Sequence, residues 1–261
     1  MKKVKQNITR RDAIKCSLGG AAIAMVTPGC GNTSETTTAA TPEKFKFYKP
    51  DGAFDPEAAR KAYFAMMKSF GYPIPDNLKT EEFWVCDFLQ REYDKLGMGG
   101  VFWINAKGTY GTSGAGAYSG DFKDDSYGYL GHEIYLLPGQ MLPEHRHIGG
   151  PEGFGPKMEA WQVRYGTVEY FGEYQGEGTE TLISDMPEQD RPWGFGQDWF
   201  KSKYVTRRTA QSGKLYVLED PESWHFQRAG AEGAIVTEYA TYHNHVEFSK
   251  PDMEFASSEA S

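Results

Sequence analysis

His145 and His147 stand two residues apart, and Glu159 follows after a loop rich in Gly and Pro, in the stretch G-Q-M-L-P-E-H-R-H-I-G-G-P-E-G-F-G-P-K-M-E-A-W-Q-V-R-Y-G from Gly139 to Gly166. On a β-strand residues i and i+2 share a face, so both imidazoles can reach one point; on a helix they would diverge. Four Gly and two Pro within 148–156 predict a turn that returns the chain and sets Glu159 beside the two histidines. Imidazole and carboxylate without thiolate suit a borderline divalent ion: Mn, Fe, Co, Ni or Zn. His225, after the turn at Asp220-Pro221, is the candidate for a further ligand. Lys157, Glu159 and Trp161 alternate onto one face of the second strand, which brings an ammonium and an indole toward the same point. An H-x-H pair also arises by chance; the spacing to Glu159 favours the metal reading.

The elements that must hold these residues are mostly strands. Runs rich in Tyr, Val, Ile and Trp at 101–105, 133–137, 141–147, 161–172, 181–184, 203–209, 214–219 and 234–242 are separated by Gly, Pro and Asp clusters. That pattern predicts an all-β jelly roll, two sheets closed on each other. Ahead of it, Asp55 as cap, Pro56 at the first position and Gly71 beyond the last turn predict a helix with Ala62, Met66 and Phe70 on its core side. A second helix is expected over 81–96, with Thr80 as cap and Gly97 as stop, so that 55–97 forms a helical region packed outside the sheet. The Gly- and Ser-rich segment 107–128 lacks the Lys-Ser/Thr of a phosphate loop and is expected to be a surface excursion, a lid at the barrel mouth.

In this arrangement Gly139, five residues, His145-x-His147, Glu159, six residues and Gly166 resemble the first motif of the cupin family. The gap from His147 to Glu159 is longer than the family's three or four residues, an insertion that falls between strands. The second motif, P-x-G-x-x-H, is represented by Pro221 and His225 with one residue fewer and no Gly. Within the cupins, L-L-P-G-Q (136–140), P-x-H-x-H (143–147), K-x-E (157–159) and W-H-F-Q-x-A-G-x-E-G-A-I-V-T-E-Y-A-T (224–241) resemble the D-lyxose isomerase group, over roughly residues 80–255. The resemblance implies a cupin jelly-roll barrel and a manganese-dependent aldose-ketose isomerase. It also implies His145, His147, Glu159 and His225 as ligands, with Lys157 and Glu238 as catalytic groups beside the sugar. Alternation in A-I-V-T-E-Y-A-T-Y leaves open which face of its strand carries Glu238; the resemblance turns it inward. There it would take a proton from carbon and return it to the neighbouring carbon, with Lys157 on the enediolate oxygen.

Residues 1–30 read as a targeting segment. T-R-R-D-A-I-K is similar to the twin-arginine export signal with Ala13 in place of Phe, and the apolar run 16–26 is shorter than the roughly 20 residues a spanning helix needs. The expected location is therefore periplasmic. Cys30 offers a point for a lipid anchor, although Pro28 is out of pattern for one; cleavage near Ala39-Ala40 with soluble release is the alternative. A Ser/Thr-rich linker over 31–50 leads to a single cupin domain over 51–261.

The chain carries 28 basic and 36 acidic residues; without residues 1–30 it keeps 22 and 35, a net charge of −13. That surface disfavours nucleic acid and anionic lipid heads as partners; the partner the resemblance implies is a small-molecule sugar. A homodimer is compatible with this reading. Cys86, alone beyond the signal, excludes an intrachain disulfide and is expected to be buried. His132 is expected to be structural, His243 and His245 to lie in an exposed loop, and Trp161 to meet substrate. Two further functions fit a metal-binding cupin: an exported sugar-binding protein without catalysis, and an iron-dependent dioxygenase.

Overall fold

Alternating runs and turn clusters fold into strands in a computed structural model of the chain, which describes residues 45–79, 82–104, 129–149, 156–174, 176, 178–243 and 246–255. Among them are β1 (Trp84–Cys86), β2 (Met98–Ile104), β3 (Tyr129–Leu136), β4 (His145–Arg146), β5 (Glu159–Gly172), β6 (Thr181–Leu182), β7 (Tyr204–Gln211), β8 (Leu215–Val217), β9 (His225–Thr241) and β10 (Glu247–Phe248). The strand pairs are antiparallel, in the order β1-β2-β3-β9-β5-β7-β6; β8 pairs with β5, and β4 joins β9 to β10. This is the expected all-β jelly roll. Its spine is the pair β5–β9, which runs from Glu159 opposite Ala240 to Gly172 opposite His225, with register shifts near Val163 and Gly166 that bend both strands.

Two apolar clusters lie on opposite faces of the sheet. Trp84, Cys86, Ile134, Leu136, Ala234 and Val236 fill the barrel. Their odd-numbered or even-numbered neighbours Val85, Tyr135 and Ile235 face outward beneath a helix, α1 (Pro56–Ser69). The helix forms for the reasons its sequence gives: Asp55 accepts from the Ala58 amide at 3.1 Å, Pro56 opens the first turn, and Gly71 follows at φ +67. Its buried stripe is Ala59, Ala62, Tyr63, Met66 and Met67. With α1 on one face, alternation points residues 132, 134 and 136 of β3 and 234, 236 and 238 of β9 into the barrel.

The second expected helix does not form. Phe83 and Val85 pack under α1 while Trp84 and Cys86 pack into the barrel, so this run is buried on both sides as strand β1, paired with β2. Helix is then broken by positive φ at Phe88, Leu89 and Arg91 and by an Asp87 carboxylate that accepts from the Leu89 amide. Residues 45–50, expected as linker, instead set Phe45, Phe47 and Tyr48 against the outer cluster. Of the expected strand 141–147, His145 and Arg146 form β4 and Met141 makes isolated bridges to Leu96 and Arg228, the run being interrupted at Pro143, which has no amide to donate. Conversely β9 begins at His225, nine residues before the expected run, carried through an unpromising Gly- and Glu-containing stretch by its partner β5. Cys86 is buried as expected. The export signal, Cys30, most of the linker, the 107–128 excursion and His245 lie outside the described residues.

Candidate metal centre and active site

The ladder between β4 and β9 consists of one pairing, His145 opposite His225, and it sets their rings 4.5 Å apart. His147, two residues on, brings its ring to 5.0 Å from His145 and 5.9 Å from His225. One ligand nitrogen from each of the three lies within 4.8 Å of the other two. Glu159, the first residue of β5, enters from the adjoining strand with Oε1 3.1 Å from His225 Nε2 and 3.6 Å from His147 Nε2.

The donor set fits a divalent cation. His145 Nδ1 donates to the Pro143 carbonyl and His225 Nδ1 to the Ser223 carbonyl, each at 2.8 Å. A carbonyl only accepts, so the proton of each ring sits on Nδ1 and the Nε2 lone pair is left for a metal. Nε2 of His147, Nε2 of His225 and Oε1 of Glu159 are buried without a hydrogen-bond partner, a costly arrangement that a cation among them would relieve. Burial lowers the His145 pKa to about 3, helped by the neighbouring His225. Burial and the Lys157 ammonium hold that of His147 well below the ordinary range. Both are neutral at physiological pH.

Lys157 sits between two carboxylates, its ammonium 3.1 Å from Glu159 Oε2 and in contact with Glu238 Oε1. Burial alone would discharge all three groups, yet their mutual attraction outweighs it: Lys157 is raised above the usual lysine range, and Glu159 and Glu238 are both lowered. Glu238 is thus ionised inside the barrel. Its other oxygen lies 3.4 Å from Nδ1 of His132, directly opposite it on β3. The His132 ring packs against Phe102, 4.4 Å away, and Trp84, 5.5 Å away, which also stack on each other. Nothing in the spacing around His132 marked it; the parity it shares with Ile134 was the available signal, usable only once the inner face was known.

His132, His145, His147, Lys157, Glu238 and His243 face a cavity of about 480 Å³, within the roughly 300–1,000 Å³ typical of small-molecule sites. His243 is therefore not an exposed loop residue. It is half-buried at the cavity wall, its ring 5.3 Å from that of His147 and its Nε2 2.8 Å from the Ile148 carbonyl. Trp161 shares the inner face but is not in the cavity lining. It is buried in a stack with Tyr170 and Tyr216 and props His225 from behind, 5.4 Å ring to ring.

Fold and site together define a jelly-roll barrel with a three-histidine cluster that could hold a metal ion, two of whose histidines line a partly open pocket. No protein-family model matches the chain. It is 35% identical to a D-lyxose/D-mannose isomerase of Thermosediminibacter oceani over 116 residues, 44% of this chain and 56% of the relative. It is also 30% identical to a D-lyxose ketol-isomerase of Cohnella laeviribosi over 115 residues, 43% and 56% of the two chains. The chain thus spans about half the length of the curated relatives it matches. Two L-ribose isomerase structures share the fold. One, from Acinetobacter sp. DL28 with L-ribose, has a TM-score of 0.50 at 16% identity and covers 77% of this chain and 94% of its own. The other, from Cellulomonas parahominis without ligand, has 0.50 at 16% and covers 74% and 90%.

Proposed function

We propose that the protein is a metal-dependent aldose-ketose isomerase acting on an open-chain pentose or related sugar, of the D-lyxose/D-xylulose type. The observation that carries this reading is the Lys157–Glu238 pair, an ammonium and an ionised carboxylate in contact beside the three-histidine cluster. Likeness to sugar isomerases over part of the chain supports it. His145, His147, His225 and Glu159 would hold the ion, manganese by preference, and that ion would supply Lewis acidity to the carbonyl and the adjacent hydroxyl of the sugar.

Glu238 removes the proton from the hydroxyl-bearing carbon and returns it to the former carbonyl carbon, so that no redox partner is required. Lys157, protonated because two carboxylates face it, gives a proton to the carbonyl oxygen on which negative charge builds and takes one back from the neighbouring hydroxyl as that becomes the new carbonyl. As its donors turn to the substrate it loosens its hold on Glu238, which frees that carboxylate to act as base. A non-catalytic sugar binder or a dioxygenase has no need of this pair. Glu238→Gln should retain stoichiometric metal and lose turnover by at least about 10²-fold, the scale of general-base catalysis, whereas His145→Ala should lose both. Normal turnover by Glu238→Gln, or a metal-loaded protein that interconverts no member of an aldose and ketose panel, would overturn the reading.

The same proposal includes export by the twin-arginine route on the strength of T-R-R-D-A-I-K, with Cys30 as a lipid-attachment point and a homodimer as the assembly. Cell fractionation of an Arg10→Lys, Arg11→Lys variant tests the route: retention in the cytoplasm is expected, and unchanged export would refute it.

A further inference from the structure

We infer that Arg146, together with Glu144, Trp224 and Glu247, forms a frame behind the histidines that orients them as ligands, so that these four residues set metal affinity without touching the metal; this rests on the metal site proposed above. The run 144–147 alternates. His145 and His147 line the pocket, whereas Glu144 and Arg146 do not. Backbone pairing holds the run only weakly: one pairing joins β4 to β9 and two join it to β10, against twelve between β5 and β9.

Side chains supply the rest of the hold. Glu144 is buried and accepts from the Lys201 and Ser202 amides at 2.9 and 2.5 Å. Arg146 sets Nε and Nη2 on Glu247 Oε2, each at 2.8 Å, and lays its guanidinium 4.7 Å over the Trp224 ring. The two ligand segments are built alike. The His145 ring donates to the Pro143 carbonyl and the His225 ring to the Ser223 carbonyl, two residues back in each case. Between carbonyl and histidine stands Glu144 in one segment and Trp224 in the other. Fixing that middle residue fixes both ends of the hydrogen bond that aims Nε2 at the ion. Arg146 then joins the two segments to each other, and through Glu247 to β10. A partly exposed ion pair contributes little to global stability, so its loss should be read on the metal and not on the fold.

The test measures Mn2+ affinity by titrating chelator-treated protein and following the free ion by its EPR signal, below the melting temperature of every variant. Removing an outer partner of a ligating histidine costs about 10–100-fold in metal affinity, and Arg146→Ala, which acts through the backbone, should lie at the lower end, about tenfold weaker than wild type. Glu247→Ala, a change at a half-exposed side chain, should weaken binding in the same direction by less, and it decides the matter if Arg146→Ala does not fold. Arg228→Ala is the control. Arg228 makes the same kind of contact, on Glu169 and over Phe171, but across the long β5–β9 ladder, and its loss should leave Mn2+ affinity unchanged. Wild-type affinity in both Arg146→Ala and Glu247→Ala overturns the inference alone, as does an equal loss in Arg228→Ala. Wild-type protein that takes up no Mn2+ overturns the metal site and the frame together.

Discussion

On the proposed mechanism Glu238 has to be charged to act as a base, and an isolated carboxylate inside an apolar barrel would take up a proton instead. Lys157 and His132 keep it ionised, one from β5's leading segment and one from the facing strand. Their roles should separate on substitution. His132→Phe preserves a ring against Phe102 and Trp84 but removes the nitrogen beside Glu238. Since that nitrogen lowers the carboxylate's pKa, its loss raises it, and the acid limb of the kcat profile should move to higher pH. The expected fall in kcat is on the order of tenfold, a fraction of a full general-base contribution, with KM little changed. A change in stability without movement of the acid limb would make His132 a packing residue, as its sequence context suggests.

At the scale of elements, the bend shared by β5 and β9 brings the ends of two long strands to one site. Gly166 lies in that bend at φ +72, and a Cβ there would come within 2.0 Å of the Gly233 carbonyl oxygen; Gly233 itself has φ +83. Gly166→Ala is therefore strained by its backbone angle and blocked by its neighbour, and should cost at least about 2 kcal/mol, roughly 4–8 °C of melting temperature. An unchanged melt would show that the bend relaxes freely. This glycine was legible as part of a spaced pattern with His145, His147 and Glu159, because side-chain chemistry and turn requirements are local. What could not be read was set by tertiary partners. The inward face of β9 depends on α1 covering the residues between, the run Phe83–Cys86 became a strand because both its faces are buried, and the stretch after His225 is a strand only because β5 pairs with it.

The chain carries a net charge of −8, and its buried site gathers one ammonium, two carboxylates and the imidazoles of His145 and His147, an excess of negative charge that should show as an affinity for cations in its stability. His145, lowered to about 3, and His147, also lowered, stay neutral in the fold but titrate near 6.5 in the unfolded chain. As pH falls below about 6.5 the unfolded state binds protons that the folded state refuses, and stability declines. Below about 4.5 Glu159 and Glu238 act in the same direction, since their folded pKa values are also depressed. A bound divalent ion needs the same unprotonated donors and adds its binding free energy to the folded state, about 2.7 kcal/mol at a hundredfold excess over Kd. Calorimetric melts of chelator-treated and manganese-loaded protein at pH 8, 6.5, 5 and 4 should therefore fall with acid in both series. Because the folded donors stay unprotonated down to about pH 4, the gap between the series should persist at each pH where the protein is folded, and His145→Asn with His147→Asn should abolish the gap and flatten the slope between pH 6.5 and 5. A gap that persisted in the double variant would place the cation elsewhere and remove the metal centre from this end of the barrel.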